Sequence, residues 1–154
     1  MTVHRLLYRS DIDLVGSAAD IQHQVGEIVR FSQARNAAAG LTGALLLTRG
    51  VFVQVLEGPL CAIEAAFERI CCDLRHRRVE LLELVQAEDR VFGAWSMARI
   101  SADQRVERLF ACLPGAEEQG LESASAQATI QLMLALLISG PEQALSAERL
   151  VGSI

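Results

Sequence analysis

The hydrophobic pattern of this 154-residue chain changes period several times along its length. Alternation of period two opens it: over Val3 to Tyr8, positions His4, Leu6 and Tyr8 share one face of a first strand. Asp11 to Asp20 reads as a loop with Gly16 and Ser17 in it. A helical period then begins near Ile21, with Ile21, Val25, Ile28, Val29 and Ser32 on one stripe. Asp20 is its candidate N-cap and Gly40 suits the left-handed position that ends it. Leu41 to Leu47 predicts a second strand, and Arg49-Gly50 turns the chain into a third, Val51 to Gly58. Phe52, Gln54 and Leu56 lie on one face of that strand and Val51, Val53 and Val55 on the other, so it is a central strand covered on both sides.

Pro59 fits the first turn of a second helix, whose stripe is Ile63, Ala66, Phe67, Ile70 and Leu74. Val79 to Val85 predicts a fourth strand. Asp89-Arg90 and Gly93 mark a connection to a fifth, Ala94 to Ile100, with Trp95 and Met97 on one face. The order β-α-β-β-α-β-β is that of a ferredoxin-like α+β sandwich with an added strand, both helices covering one sheet face. The remaining chain is expected to cover the other face. Asp103 to Cys112 predicts a short helix ended by Leu113-Pro114-Gly115. Ser123 to Ser139 predicts a longer one, apolar at Ile130, Met133, Leu134, Leu137 and Ile138, stopped by Gly140-Pro141, with a weak last turn in Glu142 to Ile154. The domain reading is therefore 1–100 as the core and 101–154 as a helical extension of the same unit. A helix apolar over so much of its circumference is buried on the sheet or shared with a second copy, most simply in a homodimer.

A net charge of −5 argues against nucleic acid as a partner. The one basic run, Arg75-His76-Arg77-Arg78, reads as a solvated helix end. Cys61, Cys71, Cys72 and Cys112 form no CxxC and carry no metal-ligand spacing, so buried or idle thiols in a reducing compartment are expected. No signal peptide is recognisable and no apolar run is long enough to span a bilayer, so a cytoplasmic protein with no membrane partner is expected.

Candidate chemistry lies in the polar residues that the pattern buries: Tyr8, Asn36, Gln54 and Trp95. A carboxamide inside a doubly covered strand has four hydrogen-bonding valences, and one left unpaired costs on the order of 1–3 kcal/mol. Gln54 therefore needs a polar partner in the core, either a side chain such as Tyr8 or a ligand. With strands one and three adjacent, as the ferredoxin-like order requires, the two side chains touch. A second cluster, Arg69, Asp73, Arg75 and His76, falls at the end of helix two. The i,i+4 spacing of Arg69 and Asp73 reads as a surface ion pair. The same donors and acceptors, beside apolar Ile28 and Ile70, are also able to seat a flat, polar-edged ring between the helices.

The order of these features resembles the BLUF family, blue-light sensors that use FAD. The resemblance rests on Leu7-Tyr8-Arg9-Ser10, Ala34-Arg35-Asn36 leading into Gly40-Leu41-Thr42-Gly43, and Phe52-Val53-Gln54-Val55-Leu56-Glu57-Gly58. It continues through Arg69-Ile70, Asp73-Leu74-Arg75-His76, Arg90-Val91-Phe92 and Trp95-Ser96-Met97, covering residues 3 to about 100. It implies FAD as cofactor, Tyr8 as electron and proton donor to the excited flavin, and Gln54 as the hydrogen-bond switch between phenol and ring edge. Asn36 is implied at the ring carbonyl and imide edge, Ile28 and Ile70 on the ring faces, and Arg69, Asp73, Arg75 and His76 toward the pyrimidine end and ribityl chain. Trp95 and Met97 match the pair that passes the signal on. Arg35 stands where many relatives have a polar residue, often asparagine; a guanidinium accepts no hydrogen bond, so it meets a flavin carbonyl or phosphate, or faces solvent.

No substrate turnover is implied. The chain is not expected to be an enzyme, and its output would pass to a separate signalling protein. Two other readings compete: a light-insensitive flavin- or ligand-binding regulatory module, and a small acylphosphatase-type hydrolase. The latter needs an anion cradle after strand one, where Arg9 is followed by Asp11-Ile12-Asp13.

Overall fold

The computed structural model describes residues 2–101 and 126–138. Five strands and two helices follow in the order β1 (Val3–Ile12), α1 (Ala18–Ala39), β2 (Thr42–Thr48), β3 (Val51–Gly58), α2 (Leu60–Cys72), β4 (His76–Ala87) and β5 (Ala98–Ser101). A third helix, α3, occupies 126–138. The sheet order is β4-β1-β3-β2-β5. Its first four strands pair antiparallel, as a ferredoxin-like sandwich requires, and β5 adds parallel to β2. The expected Asp103 to Cys112 helix, the Pro114 break and the last turn beyond Glu142 lie outside the described residues.

Each face has its own core. Leu6, Tyr8, Leu45, Phe52 and Leu56 meet Val25, Ile28 and Val29 of α1 and Ile63 and Ala66 of α2. On the other face Leu7, Leu46, Val53 and Val55 cluster with Phe92, Ile100, Ala126, Ile130, Met133 and Leu136. The period-two alternation of β3 thus feeds both cores. The stripe of α3 runs through Ala126, Ile130, Met133 and Leu136. Leu134 and Leu137, expected on it, are only half-buried, and Ile138 is exposed.

Several boundaries differ from the sequence reading. β1 continues through Asp11 and Ile12, because β4 on one side and β3 on the other both extend that far. α1 begins earlier, capped by Ser17; Asp20 is its N3 residue, completing a capping box. α2 ends at Cys72, which leaves Leu74 88% exposed instead of on the buried stripe. The basic run does not end a helix. It starts β4, where Arg77 and Arg78 pair with Asp13 and Asp11. Cys61, Cys71 and Cys72 are exposed free thiols, not buried ones.

One buried charge joins the strands. The Glu57 carboxylate accepts from Arg5 Nε (2.9 Å), Thr42 Oγ1 (3.3 Å) and the backbone N–H groups of Val91 (2.7 Å) and Phe92 (2.8 Å). Arg5 and Thr42 flank Glu57 on the neighbouring strands. Nearby, Gly43 has no room for a side chain: a Cβ there would lie 2.0 Å from the Val55 carbonyl oxygen. Gly43→Ala is therefore expected to destabilise the fold by about 1–3 kcal/mol, the range for overpacking a tight site. Urea unfolding checks this; an unchanged midpoint would contradict the close approach.

Candidate functional site: a cleft between the two helices

A cleft opens between α1 and α2 above the centre of the sheet. Its walls include Ile28 from α1 and Ile70 from α2, and its floor holds Leu45, Leu56 and Gln54. Arg35, Asn36, Arg69, Asp73, Arg75 and His76 supply polar groups along it. Ile28, Arg35 and Asn36 share the cleft side of α1 because they recur at helical spacing. Ser32, which the sequence reading had placed only on the helix stripe, and Phe31, which it passed over, also line the cleft. The spacing of Phe31 three residues from Ile28 is the signal that would have found it.

Tyr8 and Gln54 are directly opposed across the β1–β3 ladder. The buried Tyr8 hydroxyl donates to Gln54 Oε1. Burial raises the phenol's pKa well above its ordinary value, and the neighbouring Cys71 and Asp73 reinforce the shift. Tyr8 is therefore held protonated, as a donor. The Gln54 Nε2 amide reaches Met97 Sδ at 3.4 Å, a weak acceptor for a strong donor. Hydrogen-bonding capacity is thus left at the floor of the cleft.

Asn36, 4% exposed, donates from Nδ2 to the Ser96 carbonyl at 2.8 Å. Met97 is buried beside Gln54 in the helix-side core, while Trp95 packs against the opposite core. The expectation that they share a face of β5 is corrected. β5 starts only at Ala98, and the irregular segment before it crosses from one sheet face to the other. Gln33, another residue the sequence reading passed over, holds the Met97 carbonyl through Nε2 at 2.9 Å.

Asp73, Arg75 and His76 follow α2 instead of lying on it. Asp73 is the C-cap residue, and its carboxylate takes a forked contact from Arg75 Nε (2.9 and 3.1 Å) and Nη2 (2.5 Å). The expected Arg69–Asp73 pair is not formed, because the helix ends before Asp73 and Arg75 lies closer. Arg69 has no hydrogen bond or ion pair to the described residues. Hydrogen bonding from Arg75 lowers the Asp73 pKa, and the same bond raises that of Arg75. His76 Nδ1 and Ser10 Oγ share a hydrogen bond of 2.7 Å, and the imidazole lies 4.9 Å from the Phe52 ring. Arg9, the candidate anion ligand of a hydrolase, faces Glu80 at 3.4 Å.

The donor set suits a flavin: two isoleucines for the faces of a planar ring, carboxamides near its edge, and an under-used amide N–H at the floor. Among the described residues no cluster of ligating side chains suits a metal, and no helix is long and apolar enough to cross a membrane.

Burial lowers the His76 pKa, Arg75 adds to this and Asp73 opposes it. A depressed folded pKa means that the unfolded chain takes up the proton first as pH falls. The contribution to stability is complete above about pH 6.5, and it is lost on acidification toward the folded value. Denaturant unfolding at pH 7 and pH 5 is expected to show a smaller acid loss in His76→Gln than in the parent. Equal losses would contradict the burial effect.

Comparison with known proteins gives the family and the fold. The family profile described as "BLUF: Sensors of blue-light using FAD" matches residues 3–98. Photoactivated adenylate cyclase subunit alpha of Euglena gracilis is 37% identical over 70 residues, which are 46% of this chain and 7% of that protein. The blue light- and temperature-regulated antirepressor BluF of Escherichia coli (strain K12) is 33% identical over 92 residues, 60% of this chain and 22% of that protein. The chain therefore spans less than a quarter of either of these relatives. The dark-state structure of BlrB, a BLUF protein, superposes with a TM-score of 0.61 at 31% identity, covering 99% of this chain and 96% of that one. The chain belongs to the BLUF family, the sensors of blue light using FAD.

Proposed function

We propose that the Tyr8–Gln54 pair is the photochemical element and that its state is passed through Met97 and Trp95 to a separate signalling protein. The observation that carries this reading is the buried phenol-to-amide hydrogen bond at the floor of the cleft, with the amide N–H on a weak sulfur acceptor. When bound, the flavin supplies a chromophore that blue light turns into a strong oxidant. A buried, protonated phenol can yield an electron together with its proton. Gln54 is placed to accept that proton from Tyr8, because its carbonyl already takes the phenol's hydrogen bond. Its amide both donates and accepts, so a rotated or tautomeric form offers the cleft a different hydrogen bond.

Ile28 and Ile70 would hold the ring faces. Asn36 would meet the carbonyl and imide edge once its contact to Ser96 rearranges or is shared. Arg69, with no partner among the described residues, and the Asp73–Arg75 pair would meet the pyrimidine end and the ribityl chain, with His76 beside them. Arg35, exposed at the cleft, is suited to a flavin carbonyl or phosphate. Residues 1–100 would form the sensor and 101–154 an extension of the same unit. The apolar face of α3 would be shared with a second copy of the chain in a homodimer or would dock the downstream signalling protein. No group turns over a substrate in this scheme, and the site of action is the cytoplasm.

Absorption spectra taken in the dark and just after blue light test the reading. The parent is expected to show a flavin spectrum that shifts to the red and relaxes in darkness. Tyr8→Phe should retain flavin and lose the shift, with a stability loss of about 1–3 kcal/mol from the unpaired Gln54 carbonyl. A normal shift in that variant would refute the donor role. Gln54→Leu should also bind flavin without shifting, and a parental response there would remove Gln54 as the switch.

A further inference from the structure

Glu57 plays no part in the chemistry assigned to the cleft, since its side chain points to the opposite sheet face. Yet two of its four partners are backbone N–H groups of the segment that joins β4 to β5. Arg90, at the head of that segment, closes the same place from outside. Its Nη1 donates to Thr42 Oγ1 (3.0 Å) and the Glu57 carbonyl (3.2 Å), and its Nη2 to the Gly40 carbonyl (2.8 Å). Further along, the contacts are neutral: Gly43 N–H to the Trp95 carbonyl (3.0 Å), Asn36 to Ser96, and Gln54 to Met97 Sδ. Hydrogen bonds to a charged group are roughly twice as strong as neutral ones. The segment therefore has a stiff end at Val91-Phe92 and a compliant end at Ser96-Met97. Between them lies Trp95, packed against the core that α3 helps to build.

We infer that Glu57, backed by Arg90, is a positioning residue for signalling. It fixes Val91 and Phe92, so that a change in the hydrogen bonding of Gln54 moves Trp95 against the α3 face. A slack segment would absorb that change along its length. The inference rests on Gln54 being the switch. Glutamine cannot replace the carboxylate: it has one acceptor oxygen, and its NH2 group would face N–H donors.

The test uses the flavin-loaded full chain as parent, Glu57→Gln and Arg90→Gln. Three signals are read: the light-minus-dark absorption, the light-dependent emission of the chain's one tryptophan, and hydrogen exchange of residues 91–97 in the dark. Both variants are expected to keep the red shift. Dark exchange of the segment should speed up at least about tenfold as it opens locally. The light-dependent change at Trp95 should fall to less than about half, within the range that mutations along a coupling chain produce. Parental exchange and a full Trp95 response in the variants would overturn the inference. If Glu57→Gln does not fold, Arg90→Gln decides alone, because Arg90 is only half-buried. A parent that shows no red shift would overturn the Gln54 reading and this inference with it. A parental red shift and Trp95 response that survive intact in the variants would overturn only the clamp.

Discussion

Opposed residues of an antiparallel pair point to the same sheet face, and this geometry sets Tyr8 against Gln54 in the middle of the sheet. A slip of one residue would turn the two side chains onto opposite faces and break both cores at once. The register is held by those cores. Leu6 and Phe52 must reach the helix side while Leu7 and Val53 reach the other. With both faces covered, the amide's valences are filled by protein groups or a bound molecule. The cleft between α1 and α2 opens where Gln54 has donor capacity to spare. The position of the site is thus a consequence of the sheet.

The two faces carry different polar devices. On the helix side the buried groups around Gln54 are neutral and able to change partners: a phenol, two carboxamides and a thioether. On the far side a carboxylate fully enclosed by four donors ties β1, β2 and β3 to the β4–β5 connection. A buried charge with complete hydrogen bonding resists rearrangement, because losing one partner exposes the full cost of desolvation. A molecule that must switch locally and keep its frame benefits from this division. Residues 91–97 connect the two environments. That explains how an irregular seven-residue stretch touches both cores.

The profile match over residues 3–98 covers the sheet, both cleft helices and this crossing segment. The relatives it shares include proteins several times longer. On the sheet face opposite the cleft, Phe92 and Trp95 meet the core containing α3 residues.

The strands, the two cleft helices and the Tyr8–Gln54 pairing were legible in the sequence. They follow from local periodicity and from a helix–strand order with few ways to pack. Ile28 and Ile70 were legible as stripe positions of their helices, and their place beside a flavin, with that of Asn36, was implied only by the resemblance to the BLUF family. Three other features were not legible. The start of β4 at His76, which takes Asp73, Arg75 and His76 off the helix, depends on where β1 finds its pairing partners. The split of Trp95 and Met97 between two faces arises in an irregular segment, where period two does not apply. Glu57 read as one more residue of a strand motif, since no local pattern shows that Arg5, Thr42, Val91 and Phe92 converge on it. The sequence by itself determined the elements and which polar residues they bury at the centre of the sheet, because alternation and helical spacing depend on neighbours in the chain. Only the tertiary structure decided how the cleft's rim is wired and how the last strand is tethered, because those contacts join residues 34 to 66 positions apart.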